Sequence, residues 1–180
     1  MALTITEALA EIKTIDARIG KKSEFIKGHL VRQDGLRDPL LKDGGQSVVI
    51  AQERQSVADL AERKMALRRA IQQANDATSV TIGDVTRTIS DWLVWRRDVL
   101  PGQKKLLADI AGIIQTARNE AARKGFAVVT TGDLAKAPTD IIVNADEKEL
   151  SVQIEKLETI AGGLDGQLSL KNATTMVVLA

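Results

Sequence analysis

His29 is the only histidine in the chain, and cysteine is absent. A Ser-His-Asp relay would therefore have to be built on His29 alone. It stands beside an expected helix stop, and Phe126 occupies the matching place later in the chain, which favours a packing or solvated role. Asp34, Asp38 and Asp43 share one loop and could gather a hard cation through their carboxylate oxygens. Their spacing is not that of a calcium loop, so solvated turn residues are the plainer reading. "DGGQS" at 43–47 and "PGQKK" at 101–105 resemble phosphate loops, yet neither ends in Gly-Lys-Ser/Thr or follows a buried strand. Trp92, Trp95, Arg96 and Arg97 could form a patch for nucleic acid or a membrane surface. Trp at i and i+3 on an amphipathic helix also suits a core edge or a subunit contact, where Trp and Arg are enriched. The second reading is preferred. No catalytic, metal or cofactor set emerges, so the expectation is a protein that is not an enzyme.

Composition narrows the partners. Lys and Arg number 25 against 24 Asp and Glu, a net charge of +1. That balance gives no global field for nucleic acid or an anionic membrane, and no nucleic-acid partner is expected. Hydrophobic residues make up 44% but aromatics only 2%, so the core must be aliphatic. The opening "MALTITEALAEIKTIDARIG" carries acids and no continuous apolar stretch, so no secretory signal is expected. No run approaches the roughly 18 apolar residues of a membrane span. "NAT" at 172–174 is then a chance match to a glycosylation acceptor, and cytoplasmic synthesis is expected.

The elements follow from periodicity. Thr4 with Glu7 is a capping-box spacing ahead of Ile5, Leu9, Ile12, Ile15 and Ile19, which share one helical stripe. This helix is expected to run to about Lys27, with Gly28 as its stop. Residues 30–47 read as a long loop with turns at Asp34-Gly35, Asp38-Pro39 and Asp43-Gly44. A second helix starts near Ser47, carries Val57, Leu60, Leu67, Ile71 and Ala74, and ends about Asn75. Gly83-Asp84 between β-branched runs signals a hairpin. Thr88 or Ser90 caps a third helix that runs, interrupted, to Lys124-Gly125. Asn144 with Glu147 caps a fourth, striped by Leu150, Ile154, Leu157, Leu164 and Leu168. Gly162, Gly163 and Gly166 either weaken it locally or mark a close backbone neighbour. The chain closes on the extended, apolar "TTMVVLA".

The two halves repeat. A shift of 97 superposes Val57, Leu60, Leu67 and Ile71 on Ile154, Leu157, Leu164 and Leu168. The same shift places Asn75, Thr78 and Val80 on Asn172, Thr175 and Val177, and "KGHLV" at 27–31 on "KGFAV" at 124–128. "TITEAL" at 4–9 matches "TISDWL" at 88–93 at a shift of 84. The difference between 97 and 84 is an insertion of 13 residues inside the third helix. At about 100° per residue this turns the helix about 220° beyond whole turns, so an unbroken helix would present the wrong face. Pro101-Gly102 is read as the break that restores it, the other reading being a separate short helix over 90–100.

The runs "LRRAIQQANDATSVTIGDVTRTISDWLVWRRDVL" and "IIVNADEKELSVQIEKLETIAGGLDGQLSLKNATT" resemble the septicolysin-like family of small helical proteins. The shared pattern is a helix ending in Asn-x-x-Thr, a short hairpin, an Arg-Arg-Asp helix and a final helix ending in Asn-x-Thr-Thr. The family name implies a cytolysin. This chain lacks the cysteine of thiol-activated toxins, and the resemblance carries no catalytic residues. What it implies is a bacterial or phage setting.

Together these readings predict a mainly α fold. Four long helices form two antiparallel hairpins by internal duplication, in one domain with repeat units of about 4–80 and 88–177. A small antiparallel β element is drawn from residues 78–88, 126–131, 140–143 and 174–179. The expected function is a structural or assembly protein of a phage virion, acting as a homo-oligomer with other particle proteins as partners. A membrane-active, toxin-like protein is the alternative. The candidate interaction residues are Trp92, Trp95, Arg96 and Arg97, the loop residues Leu36, Leu40 and Leu41, and Met176, Val177 and Val178 of the tail.

Overall fold

The computed structural model of the 180-residue chain describes residues 2–130 and 139–179. Its order is β1 (Leu3–Thr4), α1 (Ile5–His29), a 3-10 turn (Leu41–Asp43), α2 (Gln46–Ala77), β2 (Ser79–Ile82) and β3 (Val85–Thr88). Then come α3 (Ile89–Val94), a π-helical turn (Trp95–Val99), α4 (Leu100–Lys124), β4 (Val128–Thr130), β5 (Ile141–Val143), α5 (Glu147–Thr174) and β6 (Met176–Val177). The protein is mainly helical, and α3, the π turn and α4 together form the third long helical stretch. Contacts divide it into two compact units: the chain up to Thr78 with the part from Ser169 onward, and Ser79–Leu168. These units are cut differently from the expected repeats, because each takes in the last strand of the other repeat.

In the first unit, Thr4 accepts the Glu7 N–H at 3.2 Å while the Glu7 carboxylate accepts the Thr4 N–H at 2.8 Å. This reciprocal cap holds the Glu7 carboxyl below its ordinary value, chiefly through the Thr4 backbone N–H. The helix buries Ile5, Ala8, Ile12 and Ile15. Leu9, expected on the stripe, is 39% exposed and Ala8 takes its place, since a small side chain lets a neighbouring helix approach closely. Gly28 is not the stop: α1 runs through it to His29, whose Nδ1–H donates to Phe25 O at 2.8 Å. Across to α2 run Glu11 to Arg63 (2.8 Å), Asp16 to Lys64 (2.6 Å) and Lys22 to Glu53 (2.6 Å). Only Leu67, Ala70 and Ile71 of α2 are buried; Val57, Leu60 and Ala74 are half-buried. β1 and β6 pair antiparallel, Leu3 with Val177 and Thr4 with Met176.

In the second unit, β2 and β3 form the expected hairpin, Ser79 with Thr88 through Ile82 with Val85. Gly83 turns it at φ 62°, a conformation that costs glycine least. Thr88 accepts the Asp91 N–H at 3.0 Å and starts α3. Helix α4 ends at Gly125 (φ 68°), whose N–H bonds Ala121 O. The β4–β5 pair is parallel, Val128 with Ile141 through Thr130 with Val143, where an antiparallel element was expected. The connection of about ten residues is too long for a tight hairpin turn. Residue 131, also expected in a strand, lies outside the described residues. The cap of α5 is Asp146, whose Oδ1 accepts the N–H groups of Lys148 (2.9 Å) and Glu149 (3.1 Å), and not Asn144. Its stripe buries Ile160, Leu164 and Leu168, with Leu150, Ile154 and Leu157 half-buried. Of the three glycines only Gly163 meets a neighbour, the Ile82 side chain 3.4 Å from where a Cβ would stand.

Candidate functional site

Two places gather the candidate residues. The first is the loop between α1 and α2. Asp38 organises it: one carboxylate oxygen accepts the Leu40 N–H at 2.8 Å and the other the Gln46 N–H at 2.9 Å. The Gln46 amide donates to His29 O at 3.2 Å and accepts from Arg32 Nε at 3.0 Å, and the Arg32 guanidinium also reaches Leu36 O. These bonds hold the Asp38 carboxyl below the usual aspartate value, first through the Gln46 backbone N–H, with Leu40 N–H and the charge of Arg32 assisting. With the polar groups turned inward on one another, the apolar side chains point out. Leu30 is 63% exposed, Val31 85%, Leu36 58% and Leu41 61%, while Leu40 is half-buried. The spacing of Asp34, Asp38 and Asp43 does not bring a cation cage together. Among the described residues no group of three or more acidic or histidine side chains is placed to hold a metal ion.

The second place is a cleft of about 400 Å³ in the second unit. Trp92 and Trp95 form its floor, buried to 1% and 6% exposure, with ring centroids 5.4 Å apart in an edge-to-face pair. Both indole N–H groups are satisfied: Trp92 donates to Val80 O at 2.9 Å and Trp95 to Gln103 Oε1 at 3.2 Å. The neighbouring arginines of the sequence motif turn elsewhere. Arg96 pairs with Asp165, and Arg97 forks onto Asp98 with two bonds of 2.8 Å. The cation at the indoles is instead Arg87 of β3, its guanidinium carbon 5.1 Å from the Trp92 ring centroid and 6.0 Å from that of Trp95. Leu106 and Leu107 of α4 and Gln153, Lys156, Leu157 and Ile160 of α5 complete the walls.

Arg87 was missed by sequence reasoning, although a signal existed. Opposite residues of an antiparallel pair share a face, and Val80, which is buried, faces Arg87. Once the hairpin is registered at Gly83-Asp84, Arg87 must lie on the Val80 side.

The tail residues separate: Val177 is buried at 1%, whereas Met176 is 50% and Val178 79% exposed. Among the described residues no helix is long and apolar enough to cross a membrane. No protein-family model, curated protein or solved structure matches the chain, so the septicolysin-like resemblance rests on its motifs alone.

Proposed function

We propose that the protein is a non-enzymatic structural or assembly component, a homo-oligomer belonging to a phage particle. The observation that carries this reading is the loop between α1 and α2. Four large apolar side chains, Leu30, Val31, Leu36 and Leu41, stand mostly exposed on a backbone that Asp38, Gln46 and Arg32 tie down. Surface this apolar on an ordered loop is characteristic of a protein contact. The arm beneath it suits display: α1 has 25 residues and α2 32, about 37 and 48 Å of helix at 1.5 Å per residue.

The scaffold reading is a duplicated pair of antiparallel helical hairpins. Glu11–Arg63 and Lys22–Glu53 support the first hairpin, and Arg118–Glu147 at 2.6 Å supports the second. For the duplication, the registers agree with the repeat: Thr4–Met176 is Thr88–Ser79 after the two shifts, and Leu3–Val177 is Arg87–Val80. Thr78 N–H bonds Ala74 O, and Thr175 N–H bonds Lys171 O, at the same offset. The equivalent Asn75 and Asn172 also share a rare feature, each burying a side-chain Oδ1 without a hydrogen-bond partner. Under this reading the two repeats exchange their final strands, β2 pairing with β3 and β6 with β1.

The test is light scattering coupled to size exclusion on the parent and on Leu36→Lys with Leu41→Lys. The double variant is expected to keep its helical circular dichroism and to dissociate. A parent that is monomeric at every concentration would defeat the homo-oligomer reading, and an assembled double variant would remove the loop from it.

A further inference from the structure

The Trp-floored cleft is independent of the loop and asks for an occupant of its own. Among the described residues its lining contains two charged side chains, Arg87 and Lys156, and no carboxylate. Lys156 is engaged with Asp84 at 2.7 Å. Arg87 makes no ion pair among the described residues, and its guanidinium, on an exposed residue of the cleft lining, lies over the two indoles. One uncompensated guanidinium at the edge of an apolar cleft is complementary to a single anionic group attached to an apolar body. The body can be specified as well. The indoles are nearly fully buried, packed on each other and covered by Arg87, so they offer no free aromatic face for stacking. The apolar wall that remains open to an occupant is aliphatic, Leu106, Leu107 and Leu157, with the amides of Gln103 and Gln153 beside it. The volume of about 400 Å³ falls within the range of small-molecule sites.

We propose that this cleft binds a free, medium-chain alkyl carboxylate, with the chain along the leucines of α4 and α5 and the carboxylate forked onto Arg87. Phosphate heads fit less well, because the one unpaired cation among the described residues of the lining balances one charge.

Fluorescence reads this site directly, since Trp92 and Trp95 are the only tryptophans and the chain has no tyrosine. Full-length protein is titrated with decanoate below its micelle concentration, and separately with decanol. The expected result is a saturable change in emission, a melting temperature that rises and saturates, and binding about tenfold tighter for decanoate, the worth of one charge-assisted contact. Arg87→Gln should bind both with the affinity of decanol, which also demonstrates that its cleft is intact; Arg87→Lys should recover part of the preference. The parent's preference of decanoate over decanol needs no variant, so a misfolded Arg87→Gln would leave the test standing. Equal binding of the two ligands, no saturable change, or a decanoate preference that survives in Arg87→Gln overturns the proposal. Emission that shifts with protein concentration alone would make a second copy the occupant. Co-flotation with phosphatidylglycerol vesicles in place of decanoate binding would move the anion to a membrane lipid. Either result also overturns it.

Discussion

Val80 and Val177 offer a matched perturbation, because each is 1% exposed and each stands in a short antiparallel strand, one in each compact unit. Val→Ala removes two methyl groups from a closed environment, about 1.6 kcal/mol of transfer free energy, and the residual cavity raises this to about 2 kcal/mol. The magnitudes should agree between the two sites, but the places affected should not. Val177 faces Leu3 in the unit that contains α1 and α2, and Val80 faces Arg87 in the unit that contains the tryptophans. Native-state hydrogen exchange read by mass spectrometry separates them, since sub-global opening follows the unit that loses free energy. Val177→Ala should raise exchange in α1, the end of α2 and the final residues of α5, with the β2–β3 hairpin unchanged. Val80→Ala should raise it in the hairpin and α3 and lower the urea midpoint followed by tryptophan emission. Unchanged protection in α1 on Val177→Ala would show that β6 is not an integral strand of that unit. Equal loss throughout the chain in both variants would show that the two units do not open separately.

Burial ranks the charges that the α2 stripe can accept. Leu67→Asp, at a site with 0% exposure, should abolish the first unit's cooperative melt at a cost of several kcal/mol, while Leu60→Asp at a half-buried site should only lower its midpoint; equal melts would place the seam elsewhere. Asp38 sets a pH dependence. Its folded value is depressed below 3.8, so the stability it lends the loop is complete above that value and is lost as pH falls through the lower folded one. The Leu40 and Gln46 amides should thus stay protected at neutral pH and open in acid, and Asp38→Asn should open them at every pH. Gly162→Ala and Gly166→Ala meet nothing within 4 Å and should each raise stability by up to about 1 kcal/mol in urea unfolding, and a loss would expose a neighbour at those positions.

What could be read from sequence was what is decided within a few residues. The Thr4–Glu7 box and the Gly83-Asp84 turn are local and stand as expected, and of the two caps open for α3, Thr88 and Ser90, the chain uses Thr88. The strand nature of Met176-Val177 was also legible, by analogy with β2, and its partner turned out to be β1 of the same chain. Competing local choices were less legible. Asn144 and Asp146 are both capping types, and only the direction of the chain leaving β5 makes Asp146 the one that reaches the Lys148 and Glu149 amides. Gly28 permits a stop without requiring it, and with His29 O receiving the Gln46 amide the helix gains a partner by running on. The parallel β4–β5 pairing, the Ala8 seam and the place of Arg87 depend on segments distant in sequence.

The third helical stretch joins a local proline to the distant cleft. Pro101 has no N–H to give the turn before it, and the chain answers at Trp95–Val99 with a π turn, in which the Leu100 N–H reaches back to Trp95 O. An uninterrupted helix at about 100° per residue would bring Ile114 about 100° away from the line of Trp95 and about 40° from that of Trp92. Five residues at roughly 85° each, as a bond one residue longer implies, withdraw about 75°. Trp95 and Trp92 then flank the line of Ile114 at about 25° and 35° on opposite sides. All three are in fact buried, as is Ala121 two turns further on. The proline foreseen as a simple break thus acts through the turn ahead of it. By changing the phase of the helix it turns both indoles inward, where Arg87 can cover them and where the leucines of α4 line the cleft. The segment around Pro101 is therefore what gives the second unit its cleft.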